Sequence, residues 1–211
     1  MKRNNLFVTP IFKKKIGTDK LNQQLTDTVG AMMSENPESP VQKSNMGGWH
    51  SKTDIFEPER MNQLGKHGDT LEELGIKIDD FFHAVIDDLV KGKGWKATLD
   101  MSGWATVLKD ESWNSPHTHP NSSWSFIYYV DTANADNEEG CIVFQDPRSS
   151  ALQHIKSPGD FNNPSHKIQP EDGLIIMFPS WLEHYVTPYY SDDLRIGISG
   201  NITMTNIEVY K

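Results

Sequence analysis

His117-Thr118-His119, followed at long range by His184 and then Arg195, brings together residue types that do metal chemistry. Two histidines one residue apart on a strand point to the same side, because side chains alternate between faces. A third histidine from a distant part of the chain completes a metal site if the fold brings it alongside. An arginine eleven residues beyond that histidine can hold a carboxylate-bearing molecule in two-point fashion beside the metal. A redox metal that must also bind oxygen needs protein ligands on one side and open positions on the other, commonly two histidines and a carboxylate. His117, His119 and His184 are the candidate metal-binding and catalytic residues, and position 119 carries an imidazole where the common set has a carboxylate. Taken alone, the histidine pair could be part of a polar loop, and Arg195 could pair with Asp192 or Asp193. Their conjunction carries the metal reading.

Such residues need a rigid frame. The clearest helix is predicted from about Thr70 to Val90, with Thr70 and Glu73 as a capping box. Leu74, Ile78, Phe81, Phe82, Val85, Ile86 and Leu89 recur at helical spacing and predict a face packed on a sheet. His83 in this helix reads as structural or surface. A second helix is predicted from Asp19 to Met33, ending near Pro37. Leu6 to Phe12 predicts a short strand, with Pro10 marking an edge position. Met46 to Asp54, rich in Gly, Trp and Ser, reads as an irregular loop.

After Gly94 the pattern changes. Lys96 to Val107, Ser123 to Val130, Gly140 to Phe144, Gly173 to Phe178 and Arg195 to Ile207 predict strands, rich in aromatic and β-branched residues between Gly, Pro, Asn and Asp clusters. Helices followed by strands imply an α+β fold that is mainly β. The strands would close as a double-stranded β-helix, the jelly roll of the cupins, with the helices packed outside one sheet. One domain over 1–211 is expected, with 1–95 as helical and irregular support and 96–211 as the jelly-roll core. His117 and His119 then precede one strand, and His184 follows another after a tight Pro179-Ser180-Trp181 turn. Ligands at strand edges of a rigid barrel are well preorganised. His50, His67, His154 and His166 lack such a context and read as surface or loop residues; His50, in Gly47-Gly48-Trp49-His50-Ser51, has the least ordinary surroundings.

Composition narrows the partners. The 211 residues are 36% hydrophobic and 23% charged, a globular balance with formal net charge -9. Nucleic-acid surfaces need clustered Lys and Arg, and the only basic cluster is Lys13-Lys14-Lys15. A small molecule or a peptide segment is the expected partner. No run of eighteen apolar residues predicts a membrane span, and the basic Met1-Lys2-Arg3-Asn4-Asn5 leads into no signal-like apolar stretch. The single cysteine, Cys141, permits no internal disulfide and fits a reducing, cytoplasmic setting.

From His117-Thr118-His119 the sequence continues through Ile127-Tyr128-Tyr129-Val130, Gly140-Cys141-Ile142-Val143-Phe144 and Gly173-Leu174-Ile175-Ile176-Met177-Phe178 to His184 and Arg195. In this order and approximate spacing, residues 113–202 resemble the iron(II)- and 2-oxoglutarate-dependent oxygenases. The chain is most similar to a branch found in marine bacteria and their phages, which would place it in a host cytoplasm if phage-encoded, and also to prolyl-hydroxylase-like enzymes. Leu6 to Phe12 and Asn45 to Ser51 resemble the narrower branch. The resemblance implies Fe(II) held by His117 and His184, and 2-oxoglutarate whose distal carboxylate is held by Arg195 with help from Tyr129. Ser199 and Asn201, on the same strand face as Arg195, are weaker candidates for binding that co-substrate.

His119 departs from the family's Asp or Glu. Three readings follow: a third nitrogen ligand, a bystander that leaves two histidines and water, or replacement by another carboxylate such as Asp146. The implied activity is hydroxylation of a small-molecule or peptidyl substrate. The alternatives are a three-histidine cupin-type dioxygenase that does not use 2-oxoglutarate, and a non-catalytic jelly-roll binding module. Trp49, Trp124, Trp181 and Tyr185 could line the substrate mouth or belong to the core. Specificity is expected in the loops Met46 to Asp54 and Gln153 to Ser165.

Overall fold

The architecture is set by alternation. On Trp124–Asp131, Phe126, Tyr128 and Val130 join a core shared with the helices, while Ile127 and Tyr129 join a second core with Ile142, Phe144, Ile176 and Phe178. One strand thus serves two interiors, one on each face of its sheet. The computed structural model describes residues 6–133, 138–148 and 163–211. His154 and residues 153–162 of the proposed specificity loop lie outside these, as does the basic start at residues 1–5.

In chain order the elements are β1 (Phe12–Lys15), α1 (Asp19–Glu35), β2 (Asn45–Met46), β3 (Trp49–His50), α2 (Pro58–Leu64), α3 (Lys66–Val90), β4 (Gly94–Leu108), β5 (Ser112–His117), β6 (Trp124–Asp131), β7 (Ile142–Gln145), β8 (Ser165–Ile168), β9 (Leu174–Pro179), β10 (His184–Tyr189) and β11 (Arg195–Tyr210). They form a six-stranded sheet in the order β1-β9-β6-β11-β4-β3 and a five-stranded sheet in the order β2-β5-β10-β7-β8. Strand pairings within both sheets are antiparallel. This is the α+β, mainly β, double-stranded β-helix expected from the sequence, with α1 and α3 against the larger sheet.

The helices form for local reasons. Thr18 caps α1, its hydroxyl oxygen accepting the Leu21 N–H at 3.2 Å. The stripe on α3 buries Leu74, Ile78, Phe81, Phe82, Val85 and Ile86, each such side chain contributing about 1.5–3 kcal/mol over exposure. Leu89, expected in that stripe, is half-exposed at the helix end.

Three expectations need correction. Thr70 is not a cap: α3 begins four residues earlier at Lys66, and the buried Thr70 hydroxyl donates to the Lys66 carbonyl. Gly65, at φ 56°, separates α2 from α3 instead. The first strand is Phe12–Lys15 rather than Leu6 to Phe12, because β1 is positioned by pairing with β9, from Phe12 opposite Met177 to Lys15 opposite Leu174. It is an edge strand, as Pro10 suggested, but Leu6, Phe7 and Val8 are exposed. The loop at 46–54 contains two short strands, with Gly47 and Gly48 turning between them at φ 73° and 66°.

β5 and β10 escaped the sequence reading because Pro116 and Pro188 interrupt them, and proline is uncommon within strands. Yet these two strands position the histidines. Their register sets His184 directly opposite His117, and β7 sets Phe144 on the other side of His184.

Candidate metal centre and co-substrate pocket

A cavity of about 480 Å³ opens between the two sheets. The five-stranded sheet supplies His117 and His184, and the six-stranded sheet supplies Tyr129, Arg195, Ser199 and Asn201. His119 follows β5 rather than lying on it, held by its backbone N–H donating to the Ser180 carbonyl at 2.9 Å. It therefore reaches the same place as His117 through the connecting chain and not through strand alternation.

The three imidazoles share one arrangement. Nδ1 of His117 is 2.7 Å from the Ser115 carbonyl, and Nδ1 of His184 is 2.9 Å from the Leu182 carbonyl. A carbonyl can only accept, so each Nδ1 carries the proton and each Nε2 keeps its lone pair. Nδ1 of His119 is likewise 2.6 Å from the side-chain oxygen of Asn201. That oxygen also accepts from the Ser125 hydroxyl at 2.9 Å, and Ser125 meets Ser180 at 2.8 Å. The candidate ligand atoms of the three histidines lie within 4.8 Å of one another. Nε2 of His119 is buried and, among the described residues, has no hydrogen-bond partner. Outer acceptors that fix the tautomer of each imidazole are the usual support of metal-binding histidines.

Burial is the largest cause that lowers the pKa of each: His119 falls to about 4 and His184 to about 3, with His117 adding to both shifts, and His117 itself is lowered. An unfolded histidine takes its proton near 6.5. Between that value and the folded pKa values the unfolded chain binds more protons, so folding stability falls as pH falls through this window. The metal-free protein is expected to be steady above pH 7 in this respect and to lose denaturation midpoint progressively toward pH 4. His119→Gln should flatten that slope, and an equally steep slope in the variant would show that another group is responsible.

Arg195 is 2% exposed, and its Nε and Nη2 have no hydrogen-bond partner among the described residues. Its Cζ lies 5.0 Å over the Tyr129 ring. The buried Tyr129 hydroxyl likewise has no partner at hydrogen-bond geometry among the described residues, and desolvation pushes its pKa up to about 12 against the opposing effect of the neighbouring Arg195. Desolvation likewise lowers the pKa of Arg195. Gly140 explains how the guanidinium fits: a Cβ there would sit 2.8 Å from Arg195 Cδ, and φ is already +57°. Tyr128, one residue from Tyr129, faces the other way and donates to Asn22 of α1.

The sequence-predicted residues divide clearly. His117, His119, His184, Tyr129, Arg195, Ser199 and Asn201 all line the cavity. The oxygen of Asn201 accepts from His119 and Ser125, so this atom serves the histidine and only the amide N–H2 of Asn201 is left to offer a co-substrate. Asp146 forms a two-point ion pair with Arg148, at 2.9 and 2.6 Å, and is not part of the histidine group. Of the aromatic candidates, Trp49 is core, Trp124 packs against the core, Trp181 is exposed, and neither Trp181 nor Tyr185 lines the cavity.

His50 is not a surface residue: it is 4% exposed, hydrogen-bonded through Nδ1 to the Ser51 carbonyl and stacked on Trp104 at 5.7 Å. Trp104 in turn stacks on His119 at 5.6 Å. Lys43, Ser44 and Asn114 also line the cavity, at its β2–β5 side. Trp104 had a readable signal, since Ser102, Trp104 and Thr106 alternate with Gly103, Ala105 and Val107, and the first set lines the cavity. Lys43, Ser44 and His50 had none, because their loop has no periodicity.

A jelly roll with clustered histidines at the mouth and an arginine in its interior defines the class of non-haem metal oxygenases. Residues 102–201, a little under half of the chain, match the family described as "Putative 2OG-Fe(II) oxygenase". Iron(II) and 2-oxoglutarate are the cofactors of this chain, and it is a dioxygenase of this type. The fold is similar to that of a prolyl-4-hydroxylase from Pseudomonas putida (TM-score 0.63, 13% identity, covering 92% of both chains). It is also similar to a Trichoplax adhaerens prolyl hydroxylase solved with a hypoxia inducible factor peptide fragment (TM-score 0.63, 13% identity, 92% of this chain and 82% of that one). HygX from Streptomyces hygroscopicus, solved with nickel, 2-oxoglutarate and hygromycin B, shares the fold at TM-score 0.58 and 10% identity, over 92% of this chain and 83% of that one. Comparison with curated proteins finds no match. Among the described residues, no helix is long and apolar enough to cross a membrane.

Proposed function

We propose that this protein hydroxylates a small-molecule or peptidyl substrate at a metal held by three neutral imidazoles. His117, His119 and His184 are the ligands, each through Nε2. Arg195, with Tyr129, binds the distal carboxylate of 2-oxoglutarate, and Ser199 lines the same path. Asn201 holds His119 by its Nδ1 proton. The observation that carries this reading is the convergence of the three histidines, each oriented by an oxygen at Nδ1, beside a buried guanidinium with unpaired donors.

The residues fit the cofactors. Nitrogen donors suit iron(II), and a guanidinium fork suits a carboxylate. A buried arginine whose donors lack partners is costly, and an incoming carboxylate relieves that cost. Bound iron(II) and 2-oxoglutarate supply oxygen activation coupled to decarboxylation, with succinate as the second product. The chain's own residues orient the co-substrate, keep the imidazoles deprotonated at Nε2, and exclude water behind Phe178 and Ile142. A cytoplasmic setting agrees with a chain whose only cysteine, Cys141, is a buried free thiol.

Anaerobic addition of 2-oxoglutarate to the iron(II) protein is expected to give a weak visible charge-transfer band. Air and ascorbate should then produce slow succinate release without any added substrate. Protein carrying one iron per chain that shows neither would turn the reading toward a three-histidine dioxygenase acting without 2-oxoglutarate.

A further inference from the structure

The cavity is unusual in charge. The chain carries 29 acidic residues against 20 lysines and arginines, yet none of the described residues lining the cavity is Asp or Glu, while two, Lys43 and Arg195, are cations. Glu183 is close enough to raise the pKa of His117, but it is exposed and does not line the cavity. Arg195 is at the buried end. Lys43 is exposed and forms no ion pair among the described residues. Its charge is nevertheless felt inside, where it disfavours protonation of both His50 and His119.

Charge balance then constrains what enters. On the proposed function, on which this inference rests, three neutral imidazoles leave a divalent metal with both its charges. 2-Oxoglutarate brings two negative charges and covers Arg195 and the metal. Lys43 is left as an exposed cation at the mouth, with no Asp or Glu among the described residues that line the cavity to answer it. Beside it stand the Asn114 amide and Ser44, whose hydroxyl accepts from Asn114 at 3.2 Å. Opposite them the stacked His50 and Trp104 rings form a flat wall. A cavity of about 480 Å³ lies toward the small end of ligand pockets. With the co-substrate in place, the remaining space suits a small molecule or one side chain.

We infer that the primary substrate is an anion, and that Lys43 binds its carboxylate or phosphate at the cavity mouth while the group to be oxidised points toward the three histidines. Lys43 is thereby a specificity-determining residue. Surface cations steer and select anionic ligands through a field that salt screens.

The probes are two pairs that differ by one acidic group: N-acetyl-aspartate α-amide against N-acetyl-asparagine α-amide, which are matched in shape, and O-phosphoserine against serine, which differ by the phosphate. Dissociation constants are read by ligand-observed NMR on the zinc-loaded protein with saturating 2-oxoglutarate, which occupies Arg195 and the metal. The anionic member of at least one pair is expected to bind about fivefold more tightly at low salt, the upper range for one partly exposed ion pair. That preference should shrink in high salt, disappear in Lys43→Gln and reverse in Lys43→Glu. The pair with the larger preference tells carboxylate from phosphate. Equal binding of both members of both pairs by the wild-type protein overturns the inference, as does a preference that survives in Lys43→Glu. Metal and 2-oxoglutarate stoichiometry, measured on the same samples, keep the two readings apart. Loss of metal binding would overturn the proposed centre, and the charge preference can still be measured on the metal-free chain. Lys43 is exposed, so its variants are expected to fold, and an unchanged melting temperature checks this.

Discussion

His119→Ala is expected to lower metal affinity by at least about a hundredfold. Removing an outer partner of a metal-binding histidine typically costs 10–100-fold, and loss of a ligand itself exceeds that. The geometry motivates the size of the effect. Nε2 of His119 is buried and has no partner among the described residues, and the candidate ligand atoms of His117, His119 and His184 lie close together. Its Nδ1 is already committed to Asn201. His119→Asp should recover part of the loss, since a carboxylate is a competent ligand for iron(II), although its shorter reach costs some affinity and leaves the Asn201 oxygen with only the Ser125 hydroxyl donating to it. Zinc and iron(II) titrations followed by calorimetry read both variants directly. A change of only a few-fold in His119→Ala would mean that two histidines and water hold the metal. His119 would then be a wall of the cavity, stacked on Trp104.

Arg195→Met is expected to change function and stability in opposite directions. The concentration of 2-oxoglutarate needed for half-saturation should rise by two orders of magnitude or more, because losing one partner of a buried charge-assisted pair costs about 2–5 kcal/mol. Without co-substrate the same variant should melt no lower than the wild type, because an apolar chain of similar length replaces a buried guanidinium whose donors lack partners. Addition of 2-oxoglutarate should then raise the melting temperature of the wild type and leave that of Arg195→Met unmoved. Thermal unfolding with and without 2-oxoglutarate separates these outcomes. If both proteins gained equally, Arg195 would not hold the co-substrate, and its burial would need another partner.

Both effects come from buried groups that have no partner among the described residues, Nε2 of His119 and the Nε and Nη2 of Arg195, while Nε2 of His117 meets only the Ser44 hydroxyl at 3.4 Å. Their partners on the outer side are complete. Ser115, Leu182 and Asn201 orient the imidazoles, and Gly140 leaves room beside Arg195. Local stability is thereby given up in the cavity and supplied by the two apolar cores on either face of the larger sheet.

Much of this was legible in the residues themselves. Aromatic and β-branched runs between Gly, Pro, Asn and Asp clusters marked β4, β6, β7, β9 and β11, and helical spacing marked the buried face of α3. The histidines and Arg195 announced their chemistry by type and order. Alternation also separated Arg195, Ser199 and Asn201 from the apolar residues between them. The capping box at Thr70 misled because Gly65 and the buried Thr70 side chain belong to a longer helix, and a local motif does not know where tertiary packing extends an element. Leu6 to Phe12 misled because apolar character alone does not say which residues find a strand partner.

Convergence came from the folded chain alone. Register, not sequence distance, puts His184 opposite His117, across strands that two prolines had hidden. The connecting chain, not alternation, turns His119 to the same point, and Asn201, on the far sheet, selects which nitrogen it offers. The loop carrying Lys43 and His50 has no repeating pattern, so its place at the cavity mouth follows from β2 pairing with β5 and β3 with β4. Side-chain chemistry is a property of each residue and can be read one position at a time. Which lone pairs and charges meet depends on long-range pairing, which the chain specifies only when both sheets have formed.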